Sequence, residues 1–229
     1  MGGGIDVNCG PNYIDSCVIT GNVATSLGGN NFGGGGILIE SQLVGEDVYV
    51  NNCRIIGNSV NNFGGGINGS RYFLKNSVVA NNQALTNGGG LFISTGCVEN
   101  CTIVSNYAGV SGGGLYINGP AVGTNNIVYF NTAGTANNFT NTTGNTGLSY
   151  SCVFPAVAGT GNITNDPSLK NLAGGDYHLN NNSPCINNGM NHGWMTGALD
   201  LDGLARIRYG IVDMGAYERI NNGTIGIVH

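Results

Sequence analysis

Charge is scarce in this sequence. Asp, Glu, Lys and Arg make up 8% of its 229 residues, and only seven of these are Lys or Arg. A net charge of −5 with so few cations argues against a nucleic-acid footprint. The same scarcity argues against docking on an anionic membrane surface. No apolar run reaches the length of about 18 residues that a bilayer-spanning helix needs, so no membrane insertion is expected. Helical 3.6-residue periodicity is missing too. The seven cysteines contain no CxxC pair, and the histidines at 178, 192 and 229 are too scattered for zinc spacing. Buried thiols and no metal site are therefore expected. Met1 opens straight onto a glycine run with no secretory signal. The expectation is a fragment of a longer chain.

Glycine, by contrast, is abundant at 42 residues, without the G-X-Y period of collagen. A short glycine run followed by an aliphatic residue occurs five times, ending at Ile5, Ile37, Ile67, Leu91 and Leu115. Between the runs lies a second motif, Asn-Cys-x-Ile and its variants, closed by an asparagine. Its copies close at Asn22, Asn58, Asn82, Asn106 and Asn131. Both markers settle into one period of about 24 residues, the mark of a solenoid in which each repeat buries its apolar face against its neighbours.

Within each copy the apolar residues alternate, as in strands with one buried face. Each unit should hold two or three short strands separated by Gly and Asn, which enter positive φ at low cost. The fold class read from this is all-β, a single-stranded right-handed parallel β-helix. Residues 1–148 form the repeats, and 149–229 form C-terminal coils and an irregular cap. Stacking like on like predicts columns. Ile19, Ile55, Val79, Ile103 and Val128 form the aliphatic core column. Cys17, Cys53 and Cys101 form an inward column in which Ser77 shows that a small side chain suffices. Asn52, Asn76, Asn100 and Asn125 open the second motif, where a ladder of side-chain amides is expected at a bend. Residues 23–32, 41–48 and 132–148 read as loops projecting from the solenoid.

The repeats resemble those of polymorphic outer-membrane proteins and other bacterial surface β-helices, with a pectin-lyase-like fold. The C-terminal series is a closer match. Tyr150-Ser151-Cys152-Val153, Asp166-Pro167, Asp176-Tyr177-His178-Leu179 and Ser183-Pro184-Cys185-Ile186 come first. Asp200-Leu201-Asp202-Gly203, Arg206-Ile207 and residues 212–218 (VDMGAYE) follow in order. Over residues 149–218 this is similar to the choice-of-anchor Q domain. Asn187 stands where that family commonly has Asp, and only residues 219–229 follow, without a surface anchor. The resemblance implies an exported bacterial protein, secreted or at the cell surface, and defines no reaction.

Enzyme activity requires acid–base pairs. Between Val48 and Asn165 the only acidic residue is Glu99, and the only basic ones are Arg54, Arg71 and Lys75. No catalytic residue is assigned on so bare a wall. In the C-terminal segment Asp200 and Asp202 resemble part of a calcium loop, but the later ligands do not follow. Pairing of Arg206 and Arg208 with Asp213 or Glu218, with Asp side chains capping turns, is the structural reading there. Strand parity turns Phe92 and Tyr116 outward in one column with Leu38 and Asn68. It turns Tyr129 outward in the column of Ile56, Ala80 and Val104. Exposed aromatics can stack on sugar rings or form a protein contact. The expected function is a non-catalytic structural or adhesive surface protein, with polysaccharide as a partner. The runner-up is a carbohydrate-active β-helix enzyme or a carbohydrate-binding module. Residues 2–7 begin a strand without a preceding cap, so self-assembly through that end is expected.

Overall fold

The computed structural model of the chain describes residues 2–25, 33–40, 45–144 and 147–220. The chain winds into a parallel β-solenoid with four parallel sheets along its length. The first sheet takes the strand after each glycine run: Ile5–Val7, Ile37–Ile39, Ile67–Gly69, Leu91–Ile93, Leu115–Ile117 and Phe139–Asn141. The second is built from Asn12–Asp15, Val48–Asn51, Tyr72–Lys75, Gly96–Glu99, Val122–Thr124 and Leu148–Ser149. The third holds the Asn-Cys-x-Ile motif, in Val18–Thr20, Arg54–Ile56, Val78–Ala80, Thr102–Val104, Ile127–Tyr129 and Cys152–Val153. The fourth, from Val23–Ala24 to Thr132–Thr135, has strands as short as two residues. Such strands are too short to show alternation, so a coil holds four strands rather than the two or three expected. The last parallel strand lies beyond residue 148.

Register follows the period. Ile19, Ile55, Val79, Ile103, Val128 and Val153 pair in sequence along the third sheet, all buried in one core. The glycine runs are explained by the next coil. A Cβ on Gly65 would stand 2.2 Å from the Gly89 carbonyl oxygen and 2.6 Å from Gln83 backbone. One on Gly66 would stand 2.7 Å from the Gly90 oxygen and 3.2 Å from the Asn82 amide. Neither distance accommodates a side chain.

Two sequence expectations are corrected. The first concerns the amide ladder. The opening residues Asn52, Asn76, Asn100 and Asn125 all have φ between 49° and 58°, a left-handed bend that Asn tolerates better than most residues. Their side chains turn outward, with Asn76, Asn100 and Asn125 donating to the carbonyls of Leu199, Asp213 and Met190. Only one link joins them, from Asn125 to Asn100 at 3.2 Å. The continuous ladder is formed by the closing asparagines. Asn22, Asn58, Asn82, Asn106 and Asn131 each donate from Nδ2 to the next Oδ1, the last to Asn138, at 2.9–3.0 Å. Each Oδ1 from Asn58 to Asn138 also accepts the preceding asparagine's backbone N–H.

The second correction concerns the loop expected at 132–148, of which residues 132–141 continue the solenoid. Thr132–Thr135 and Phe139–Asn141 pair in parallel with Tyr107–Ser111 and Leu115–Ile117. Asn138 occupies the column of the third glycine and closes the ladder with its own amide. Most of the loop expected at 23–32, and residues 41–44 of the one at 41–48, lie outside the described residues.

The C-terminal segment does more than cover the end. It lies along the third sheet and forms a second apolar core there. Val78, Ala80, Val104, Ile127 and Cys152 pack against Tyr177, Leu179, Cys185, Met214, Ala216 and Tyr217.

Candidate functional site

Outward positions of the second sheet build two parallel rows. Because i and i+2 share a face, Tyr13, Tyr49 and Phe73 form one row and Asp15, Asn51, Lys75 and Glu99 the other. The aromatic rings repeat at the coil spacing. Tyr13 and Tyr49 are 5.1 Å apart at 12°, and Tyr49 and Phe73 are 5.2 Å apart at 19°. Near-parallel rings face one another, so most of the row shows ring edges and phenol hydroxyls to solvent. Tyr13, at the end of the row, is 72% exposed.

Opposite this wall stands the C-terminal segment, where a single 3₁₀ turn, Gly193–Met195, buries Met195 and sets Trp194 over the polar row. Lys75 Nζ lies 4.6 Å from the Trp194 ring centroid, within cation–π range, and 3.0 Å from Glu99 Oε2. His192 Nδ1 is 3.4 Å from Glu99 Oε1. Between wall and segment runs an open groove of about 750 Å³, lined by Tyr49, Asn51, Arg54, Lys75, Trp194 and Asp200 among others. Its size is that of a ligand cleft. Arg54 sits over the Tyr217 ring at 5.6 Å and has no carboxylate within ion-pair distance among the described residues.

The carboxylates of the C-terminal segment are engaged with the chain itself. Arg206 is fully buried; its Nη2 meets Glu218 Oε1 at 3.0 Å and donates to the carbonyls of Asp213 and Gly215. Asp213 accepts the N–H groups of Asn187 and Arg219, both at 2.7 Å. Arg208 does not join them; it lies over Tyr209 at 5.6 Å. Burial, with Asp213 and Asp200 nearby, pushes the Glu218 carboxyl up to about 8 despite Arg206. Three carboxylates share one guanidinium there. Asp213 is likewise raised by burial.

Asp200 accepts the N–H groups of Asp202, Leu204 and Glu218 on its two oxygens. Those three N–H groups engage most of the lone pairs on Asp200. Among the described residues no group of three or more His, Cys, Asp or Glu is placed to hold a metal. Asp202 instead meets His178 Nε2 at 2.6 Å, while Asp176 meets Nδ1 at 2.5 Å. Burial raises the Asp176 carboxyl, but its bonds to the His178 ring and N–H outweigh this and leave it below its ordinary value.

The three aromatics singled out in the sequence lie elsewhere. Phe92 stacks on Tyr116 at 5.1 Å and 8°, and Phe63 lies against it at 4.9 Å. In the same column Leu38 and Asn68 are buried, and Asn68 donates to the Gly33 carbonyl. That face is partly covered, not an open platform. Tyr129 is in contact with Phe130 and Phe154, and its hydroxyl donates to Thr164. It belongs to the packing of the C-terminal segment, which also buries Ala80 and Val104 in its column. The inward thiols line the core. Cys17, Cys53 and Cys101 each donate to the carbonyl two residues back, and Ser77 does the same from Oγ. Burial pushes the Cys53 thiol up to about 11 and raises Cys101 as well.

The Tyr13–Tyr49–Phe73 row was missed in the sequence, although Tyr49 and Phe73 stand one period apart. Comparison with known protein families, curated proteins and solved structures returned no match to this chain.

Proposed function

We propose that the chain is a non-catalytic, exported bacterial surface protein that adheres to polysaccharide along its second sheet. The supporting observation is the aromatic row beside the polar row, with Tyr49 of the one and Asp15, Asn51 and Lys75 of the other lining one groove. A sugar ring stacks its C–H face on an aromatic ring, and Tyr13 has the exposed surface for it. Asn51, Arg54 and the Tyr49 hydroxyl supply hydrogen bonds further in. The ordered C-terminal motifs support placement among surface β-helices with a choice-of-anchor Q domain.

Affinity electrophoresis in gels containing a panel of neutral and acidic polysaccharides tests this reading. Retardation in at least one gel is expected, weakened roughly 5- to 10-fold in Tyr13→Ala and Tyr49→Ala, the scale of one aromatic contact. Unretarded migration in every gel, or retention unchanged by both substitutions, overturns it. One observation favours the enzyme reading: the fold brings Lys75, which lines the groove, together with Glu99 and His192. Turnover of any of these polysaccharides that is lost in Lys75→Met would establish it.

A further inference from the structure

Four of the seven cysteines lie outside the inward thiol column, and two of these, Cys152 and Cys185, are fully buried. Cys152 sits on the last parallel strand, Cys152–Val153, with its thiol donating to the Asn165 carbonyl at 3.1 Å. Cys185 sits in the C-terminal segment, 33 residues later in sequence. The two are brought together by the lateral packing. Cys152 pairs with Ile127 on the neighbouring strand, and Ile127 lies against Gly215. Next to Gly215, Met214 donates its N–H to the Cys185 carbonyl. From the other side, Ser183 Oγ bonds to Pro167, two residues beyond the carbonyl that holds the Cys152 thiol. Both cysteines are fully buried in one apolar core, and the neighbouring Cys185 is the largest influence on the Cys152 thiol, pushing it up.

We propose that Cys152 and Cys185 form a disulfide that fastens the C-terminal segment to the last coil of the solenoid. The pair differs from the thiol column, where Ser77 separates Cys53 from Cys101 by two strand spacings, beyond disulfide reach. The oxidant is a low-molecular-weight disulfide. One cysteine thiolate attacks it and releases a first small thiol. The second cysteine then attacks the mixed disulfide and releases another. The protein S–S bond forms as the small-molecule S–S bond breaks, and the two thiol protons end on the released thiols. Cys185 and burial raise the Cys152 thiol once the core has closed, so exchange belongs to the stage before the segment docks. Export to an oxidising compartment rests on the reading given above, but the chemistry does not, and it is testable in solution.

The full chain is refolded in a glutathione redox buffer, alkylated under denaturing, non-reducing conditions and mapped by mass spectrometry. The expected result is a cross-linked peptide pair carrying Cys152 and Cys185, two hydrogens lighter than the reduced sum, with neither residue alkylated. Reductant should lower the urea midpoint of this oxidised chain and leave that of Cys185→Ala unmoved. Full alkylation of both residues after refolding, or their linkage to other cysteines, overturns the proposal. So does an equal reductant effect in Cys185→Ala. Polysaccharide binding enters neither measurement, so either reading can fail alone.

Discussion

At the residue scale, asparagine does two different jobs at the two ends of one short motif. At the opening end it accepts a left-handed bend and turns its amide outward; at the closing end it turns inward and bonds coil to coil. Sequence alone makes the two look alike, since both recur with the same period. What separates them is backbone conformation, which the period does not carry. Asn82 illustrates the inward role, receiving the N–H and amide of Asn58 and donating to the Ile55 carbonyl and Asn106. Asn82→Ala should therefore orphan several buried groups and cost at least about 2 kcal/mol in denaturant unfolding. The buried carboxylates make a second prediction. Glu218 titrates higher in the folded chain than in the unfolded one, so its contribution to stability is complete below the ordinary carboxylate range. It is lost as pH rises through about 8. Unfolding free energy should fall between pH 5 and 9, and Glu218→Gln should flatten that fall. A pH dependence unchanged by the substitution would contradict the assignment.

The element scale is where the sequence was most legible. Parallel strands, their spacing and the aliphatic column all follow from stacking equivalent residues, so a period and a parity suffice to place Ile55 over Ile19. The fourth strand escaped because two residues hold no alternation. The aromatic row escaped because Tyr13, Tyr49 and Phe73 are interrupted by the longer first repeat and lie outside both repeated motifs. Glycine columns are the element's tightest constraint. Gly65→Ala should destabilise the chain by about 1–3 kcal/mol or more, since its Cβ would meet only backbone, which cannot yield locally. Gly57→Ala is the control. It has φ of +68° but open space around it, so its cost should stay near the 1–2 kcal/mol of a left-handed alanine. Thermal or urea unfolding of the pair separates crowding from backbone strain.

For the molecule as a whole, the two ends of the solenoid differ. Val157 packs against the core where the last coil ends, while each of the four sheets has a first-coil strand at its other edge. Val18 and Val23 stand exposed on that coil. Unpaired strand edges are templates for strand addition, and self-association there would stack coils end to end. Light scattering should show mass growing with concentration, and a constant monomer mass would remove the idea. The lateral path of the C-terminal segment was not legible, because its contacts pair unlike residues far apart in sequence, such as Ala216 with Thr102. That path also bears on how such a gene can change. Copying one whole repeat keeps the reading frame and adds a coil about 4.8 Å tall whose columns match on both sides. Inserted between Asn76 and Asn125, the extra coil would pull apart the three carbonyls these asparagines hold on a segment of fixed length. Inserted before Cys17, it would meet no such gauge. Duplication is therefore less constrained in the first coils described than in the stretch beneath the segment, which keeps its number of repeats.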